Sequence, residues 1–437
     1  MALLTKAIKG TQDFLPSNSN QVRYVEEVAV RIAENFGYHE IRTPVFEHTE
    51  LFQRGVGDTT DVVQKEMYTF DDKGGRSITL RPEGTAGVIR AFLEHGLFNE
   101  PLPFKASYLT SCYRYEKPQT GRLREFHQFG IECVGASEPS ADAEIISLAY
   151  TFFNALDISN IKLEINSIGC PECRKKYHEA LASFFEERKG DLCETCLERL
   201  QKNPMRILDC KSPVCSEITK NAPVVLDYIC DDCRDHFESV KKHLDAMNIE
   251  YTVNPGIVRG LDYYTRTVFE FVSNEIGAQG AVCGGGRYDG LVEQLGGTHV
   301  PSLGFAIGIE RLLLLMQAQN IAFPEYDPCV LYIAAMGEKA QLEASKIALD
   351  LRISDIPTQF DTAGRSLKAQ MKYANKLNAL YSVVIGDDEL DNNSVTVKDM
   401  STGETFDLAV DSFSEDFEEI FSSRLIDSLN QMFNVEE

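Results

Sequence analysis

FKASYLTSCYRYEKPQTGRLREFHQFGIECV, residues 104–134, is the stretch on which the fold turns. Both ends are apolar and rich in β-forming residues, while the middle, EKPQTGRL, carries Pro118 and Gly121 as turn formers. The pattern predicts an antiparallel hairpin with a long loop. Side chains alternate along a strand, so Arg124, Phe126, Gln128, Gly130 and Glu132 share one face. His127, Phe129, Ile131 and Cys133 share the other, which reads as core. Gln128 and Glu132 then project together from a sheet, with Arg114 before the loop and Arg122 and Arg124 after it. Cross-strand ion pairing on a solvated face accounts for these charges as well as a ligand does.

Four more segments bear on that choice: LRPEGT (80–85), RGLDYYTRTVFEF (259–271), GGGRYDG (284–290) and GFAIGIERLLLL (304–315). Singly, each has a plain structural reading. Glu83 can cap a helix or pair with Arg81, and Tyr263 and Tyr264 can be core. GGGRYDG, with Tyr288, reads as a turn leading into a helix. Arg311 is a charge in an apolar helix, and a neighbouring carboxylate would satisfy it. Jointly the segments say more. Burying charge is unfavourable unless it is paired, so charges repeated across core-like segments predict one polar pocket.

In this order and spacing the segments resemble a class II aminoacyl-tRNA synthetase, and among these the histidyl-tRNA synthetase family. GYHEIRTPVFEHTELF (37–52) resembles the first class motif, CYRYE…REFHQFGIE the second and GFAIGIER the third. RGLDYYTRTVFEF and GGGRYDG resemble segments peculiar to the histidine family, and KGTQDFLP (9–16) its N-terminal signature. The resemblance covers the whole chain and implies an α+β catalytic domain, an antiparallel sheet flanked by helices, over 1–165 and 241–321. It further implies an inserted subdomain over 166–240 and a C-terminal α/β anticodon-binding domain over 329–437.

The resemblance also implies roles. Arg259 would bridge the histidine carboxylate and the α-phosphate of ATP. Arg114 would hold the α-phosphate, and Arg311 the distal phosphates or the adenine face, with Glu116 and Arg122 completing the nucleotide site. Mg²⁺ would accompany the triphosphate. Glu83, Gly84, Thr85 and Gln128 would surround the histidine ammonium. Glu132 and Tyr264 would meet the imidazole nitrogens, one donor and one acceptor in the neutral ring, with Tyr263 and Tyr288 lining the pocket. L-histidine, ATP and tRNA(His) would be the substrates, and the first motif implies a homodimer. His127 lies on the apolar face and Cys283 has no evident base, so neither is read as catalytic.

Composition sets outer bounds. A chain of 437 residues with 43% hydrophobic content suggests two or three domains with ample core. No apolar run, Leu312–Met316 included, is long enough to span a bilayer, and MALLTKAIKG lacks a signal-peptide core, so a cytoplasmic protein is expected. The net charge of −24 argues, though weakly, against a nucleic-acid partner. Screening confines surface fields to about 10 Å, so local patches still serve. Lys105, Arg114, Lys117, Arg122 and Arg124 form one; Arg365, Lys368, Lys372 and Lys376 form a stripe at helical spacing in RSLKAQMKYANK. A solvated helix face is the competing reading of the stripe, and tRNA binding follows only from the resemblance. From VLYIAAMG (330–337) onward, strands alternate with helices, as in a small α/β domain; AFPEYDP (322–328) reads as the linker before it.

The island at 166–240 holds eight cysteines. Cys170, Cys173, Cys193 and Cys196 read C-x2-C-x19-C-x2-C, a zinc-ribbon spacing, and Cys210, Cys215, Cys230 and Cys233 follow less regularly. One or two structural zinc ions, most simply one on the first quartet, or reduced thiols in a small core both fit, and an exchange between quartets stays open. Three other functions compete with the synthetase reading. A synthetase-like regulatory subunit of ATP phosphoribosyltransferase lacks the C-terminal domain. A synthetase for another amino acid lacks the RGLDYYTRTVFEF segment. A zinc-ribbon nucleic-acid-binding protein leaves the charged segments of 80–132 and 259–311 without a purpose.

Overall fold

The computed structural model of the chain describes residues 4–57, 60, 62–208, 210, 212–257, 261–276, 280–324 and 329–434. Two compact units result, residues 1–323 and 324–437. Residues 325–328 of the expected linker lie outside the described residues.

The first unit is built on an eight-stranded sheet. Its order is His39–Glu40, Phe104–Tyr113, Glu125–Val134, Ser302–Gly308, Ala281–Arg287, Thr265–Val272, Lys162–Ser167 and Thr252–Val253. Only the two outermost pairs are parallel; the six long strands run antiparallel. The predicted hairpin is the Phe104–Tyr113 and Glu125–Val134 pair, in a register that sets Tyr108 opposite Gly130 and Ala106 opposite Glu132. Phe129, Ile131 and Cys133 do enter the core, alongside Leu303, Phe305, Ile307, Phe269 and Phe271 of neighbouring strands. Helices Ser19–Asn35, Pro139–Ala155, Asp231–Ala246 and Ile309–Ala318 contribute apolar residues to this cluster. Apolar residues recur every three or four positions in Val25, Val28, Ala29, Ile32 and Ala33, which is why the first helix buries one stripe. The opposite face of the sheet carries Glu132.

GGGRYDG corrects the expectation of a turn: Gly284, Gly285 and Gly286 are central strand, and the short helix Leu291–Gln294 begins only afterwards. The reason is steric. A Cβ on Gly285 would lie 2.4 Å from the Gly304 carbonyl oxygen and 2.6 Å from the Phe305 Cβ. Glycine here is a close-approach residue, not a turn former.

The segment 168–250 is mainly helical, with helices Pro171–Glu186, Glu194–Lys202, Pro213–Thr219 and Asp231–Ala246. In the second unit, Thr358–Phe360, Leu331–Ala335 and Tyr381–Ile385 are parallel neighbours, and the hairpin Val395–Asp399 and Thr405–Leu408 extends the sheet antiparallel. Among the described residues no helix is long and apolar enough to cross a membrane.

Gly285→Ala is expected to destabilise the protein by about 1–3 kcal/mol through overpacking against backbone, read as a lower urea midpoint. Gly190→Ala, with nothing within 4 Å of the added carbon, is the control and should leave the midpoint in place.

Candidate active site

Glu132 lies at the centre of the sheet and is fully buried. Its two carboxylate oxygens divide their partners. Oε1 accepts from the Thr85 hydroxyl at 2.6 Å and from the Tyr108 hydroxyl at 3.1 Å; Oε2 accepts from Tyr288. Burial pushes its carboxyl up to about 8; the hydroxyl donors partly oppose that, and nearby Glu83 adds to it. Space for these side chains comes from missing ones. A Cβ on Gly304 would strike the Glu132 carboxylate at 2.2 Å, and one on Gly130 or Gly84 would overlap the Tyr108 ring.

Glu83 is the second buried carboxylate. It does not pair with Arg81, whose guanidinium donates instead to the Ser111, Thr43 and Pro44 carbonyls. Glu83 Oε1 accepts the Ala86 N–H at 2.8 Å in the first turn of helix Thr85–Glu94, and Oε2 accepts the Tyr263 hydroxyl at 3.3 Å. Burial raises this carboxyl too. Tyr263, Tyr264 and Tyr288 form one aromatic wall, with ring centroids 4.7 to 6.4 Å apart. Gln128 stands two residues before Gly130 on the same strand face, and its Oε1 accepts from the Cys112 thiol at 3.2 Å.

A cleft of about 180 Å³ is lined by Arg114, Glu116, Arg122, Phe126 and Arg311 among others. Arg114 Nε donates to the Pro82 carbonyl at 2.9 Å and its guanidinium lies over the Phe126 ring. Arg122 pairs with Glu116 at 2.9 Å. Arg311 Nη1 donates to the Ala281 carbonyl at 2.8 Å. Burial and then the charge of Arg122 disfavour its cation, while Glu116 favours it. Three arginines and two carboxylates, Glu116 and Glu310, thus border this cleft. The Glu310 carboxylate, one residue before Arg311, accepts the His127 backbone N–H at 3.0 Å and lies 2.7 Å from His127 Nδ1. His127, expected in the core, is instead only half-buried and tied to Glu310.

The structure therefore brings together Glu83, Gly84, Thr85, Gln128, Glu132, Tyr263, Tyr264 and Tyr288, and, in the adjoining cleft, Arg114, Glu116, Arg122 and Arg311. Arg259 lies outside the described residues. Tyr108 was missed by sequence reading. The signal was available, since alternation from Ala106 places Tyr108 on the face of Glu132, but an isolated strand tyrosine reads as core.

Two expectations need correcting. Arg365 does not continue the helical stripe. Helix Leu367–Lys376 starts after it, and Arg365 turns back to pair with Asp361 at 2.7 Å and to cover the Tyr373 ring. Lys368, Lys372 and Lys376 are exposed on that helix. The first four cysteines do not form one group either. Cys170 and Cys173 lie with Cys230 and Cys233, and Cys193 and Cys196 lie with Cys210 and Cys215. Helix Pro171–Glu186 carries the chain about 24 Å at 1.5 Å per residue, so Cys193 emerges at its far end.

Residues 10–312 match the family model described as histidyl-tRNA synthetase, and residues 330–420 the one described as anticodon binding domain. The histidine--tRNA ligase of Caldanaerobacter subterraneus subsp. tengcongensis is 55% identical over 409 residues, covering 94% of this chain and 98% of that protein. That of Acetivibrio thermocellus is 54% identical with the same coverage. Among solved structures, apo histidyl-tRNA synthetase from S. aureus matches with a TM-score of 0.81 at 40% identity, covering 95% of this chain and 100% of that one. The Nostoc sp. PCC 7120 structure, at 21% identity and a TM-score of 0.67 over 95% of this chain and 99% of that one, shares the fold. With a family model spanning most of the chain and relatives more than half identical along nearly their whole length, the chain belongs to the histidyl-tRNA synthetase family.

Proposed function

We propose that the chain activates L-histidine with ATP and transfers it to tRNA(His), and that the buried Glu132 cluster beside the three-arginine cleft is where it does so. In the first step a histidine carboxylate oxygen attacks the α-phosphorus, the bond to the β-phosphate breaks and pyrophosphate leaves. In the second, the terminal ribose hydroxyl of tRNA attacks the histidyl carbonyl, loses its proton and displaces AMP. Histidine-tRNA charging is the activity named for the relatives above half identity, and the regulatory-subunit reading is not favoured. The presence of the 330–420 domain supports that choice.

The observation that carries the site assignment is the pairing of an acidic pocket with a cationic cleft. Glu132 accepts the imidazole N–H and Tyr264 serves the other ring nitrogen. Glu83, Thr85 and Gln128 take the α-ammonium, with Gly84 leaving room and Tyr263 and Tyr288 closing the wall. Arg114, Arg122 and Arg311 screen the phosphates, and Glu116 orients them. Two anions must meet in the first step, so fixed cations lower its barrier. Arg259 is assigned to bridge both anions on the strength of the resemblance of its segment. Mg²⁺ accompanies ATP. Glu116 and Glu310 are the carboxylates beside the cleft and fit a hard, oxygen-seeking ion, which would supply charge neutralisation on the phosphates. Residues 1–165 with 241–321 form the catalytic domain in this reading, 166–240 the insertion and 329–437 the anticodon-binding domain. A cytosolic homodimer, paired through the 37–52 segment, completes it.

Three measurements test the assignment. Without substrate Glu132, pushed up to about 8, holds its proton at pH 7; it releases that proton on receiving an imidazole N–H. Titration calorimetry of histidine at pH 7 in buffers of differing ionisation enthalpy should therefore register net proton release. Glu132→Gln should abolish the release and raise the histidine KM about 10–100-fold, as for a lost hydrogen bond to a charged group, with ATP binding little changed. Buffer-independent heats would remove Glu132 from the imidazole site.

Arg259→Ala is expected to slow ATP–pyrophosphate exchange by about 10²–10³-fold, the scale for one transition-state donor, at unchanged thermal stability; near-normal exchange would sink its role. Lys368→Glu with Lys372→Glu should lower tRNA charging while sparing exchange. The salt dependence of tRNA binding should flatten by about one per lost phosphate contact. Unaltered charging and slope would leave the stripe a solvated face.

A further inference from the structure

Eight of the twelve cysteines of the chain fall in the 166–240 segment, and none of them is used by the chemistry above. They gather into two groups of four, and within each group the sulfur atoms all lie within 4.8 Å of one another. The measured pairs are 3.5 Å for Cys170 and Cys173, 4.0 Å for Cys173 and Cys233, and 3.8 Å for Cys193 and Cys210. A disulfide needs about 2.05 Å between sulfurs, so these are not bonded pairs. Four thiolates about 2.3 Å from one zinc ion occupy the corners of a tetrahedron whose edges are about 3.8 Å. The observed spacings are the edges of that tetrahedron. An iron–sulfur cubane would need wider groups, because each cysteine binds a different iron.

The backbone is arranged for negative sulfur. Cys170, Cys193 and Cys230 each occupy the position just before a helix, and Cys173, Cys196 and Cys233 each sit in that helix's first turn. The Cys230 N–H donates to Cys173 Sγ at 3.0 Å and the Cys193 N–H to Cys215 Sγ at 3.3 Å. Bonds of this kind orient and stabilise thiolate ligands in metal sites. Gly169 has φ +69°, and a Cβ there would sit 2.5 Å from the Cys173 Cβ. Only glycine lets the chain wrap this closely round the sulfur. Few apolar side chains surround the outer group: Ile229 is buried with Cys173 and Cys233, and Leu226 packs beside them.

We infer that the insertion carries two structural zinc ions in a nested arrangement, one on Cys170, Cys173, Cys230 and Cys233 and one on Cys193, Cys196, Cys210 and Cys215. The outer ion joins the two ends of the insertion, where it leaves the strand Lys162–Ser167 and where the helix Asp231–Ala246 returns. The inner ion holds the tip. Both sites are closed, since four thiolates leave no position for a substrate, and each ion displaces the thiol protons it replaces. The outer site also sets one wall of a cavity of about 560 Å³. Helix Pro171–Glu186, which begins at Cys170, presents Arg174 and His178 to it, and Leu261, Asp262 and Tyr264 complete it. Arg174 Nη1 donates to the Asp262 carbonyl at 3.3 Å, and Arg206 reaches the Asp262 carboxylate at 3.4 Å. Tyr264 thereby lies between the sheet and a wall that the outer ion anchors.

Metal analysis by plasma mass spectrometry of full-length protein, purified without chelator, tests this directly. Two zinc ions per chain are expected; one or none, or iron in place of zinc, overturns the inference. The pairing is tested by the variant Cys170→Ser, Cys173→Ser, Cys230→Ser, Cys233→Ser. The nested arrangement leaves it one zinc, whereas pairing of the first four cysteines would leave both sites two ligands short and the variant with none. Should that variant fail to fold, cobalt substitution of the unaltered protein decides the coordination. Thiolate-to-cobalt charge-transfer bands growing linearly to two equivalents, with the intense visible bands of tetrahedral sites, support two tetrathiolate centres. Saturation at one equivalent, or all eight thiols reacting with a thiol reagent in the native protein at the rate of free cysteine, overturns them.

Discussion

One buried carboxylate imposes most of the constraints on the centre of this fold. Glu132 stands on an interior strand, and among the described residues three hydroxyls, not a cation, meet it. An ionised carboxylate in such a place is strongly disfavoured by lost solvation, and neutral donors offset only part of that. The protein meets the constraint by clearing space. Gly304 gives the carboxylate room, and Gly84 and Gly130 give room to the Tyr108 ring that donates to it. These three glycines come from three separate segments of sequence, and their common reason is one side chain and its donors.

Asp142 supplies the contrast. It too is fully buried, on helix Pro139–Ala155, yet its carboxyl is held below the usual range: burial raises it, but Arg287 and His236 together prevail. Arg287 Nε donates to it at 2.8 Å and His236 Nε2 lies at 3.1 Å. Arg287 spends its remaining donors on the Ala136 and Glu138 carbonyls and on Asp289. That network is closed, with every strong group satisfied inside the protein, which marks it as structural. The pocket of Glu132 and Glu83 is open in the electrostatic sense: two acids are buried together and each is raised. In the proposed function this contrast separates a scaffold acid, Asp142, from the acids of a binding site. In the proposed function the missing positive charge arrives with the substrate.

Much of this was legible in the sequence, and the failures have definite causes. Alternation along 125–134 assigned both faces of the central strand, because period-two patterning is forced by strand geometry. The same rule did not rescue Gly284, Gly285 and Gly286, since glycine reports no side-chain pattern and close backbone approach is invisible without the partner strand. Arg365 matched helical spacing by number yet precedes the helix, because Asp361 offers it a nearer partner. Tyr108 needed knowledge of its register with Gly130. The cysteine pairing failed for the most general reason. Spacing along the chain counts residues, whereas sulfur atoms meet in space, and an intervening helix of sixteen residues separates neighbours in sequence.

Arg287 also ties the insertion to the catalytic sheet. His236 lies one turn beyond Cys233 on helix Asp231–Ala246, and its Nδ1 receives a hydrogen bond from Arg266 at 3.3 Å. Its Nε2 lies 3.1 Å from Asp142. Asp142 in turn fixes Arg287, and the next residue is Tyr288, whose hydroxyl meets Glu132. The helix that carries the outer cysteine pair is thus continuous, through one histidine and one buried ion pair, with the strand end that orients a Glu132 donor. Removing either member of that pair would strand a buried charge, at about 3–5 kcal/mol. The insertion is therefore not a loosely attached appendage: its return helix completes the core of the catalytic unit, and its ordering bears on the geometry of the acidic pocket.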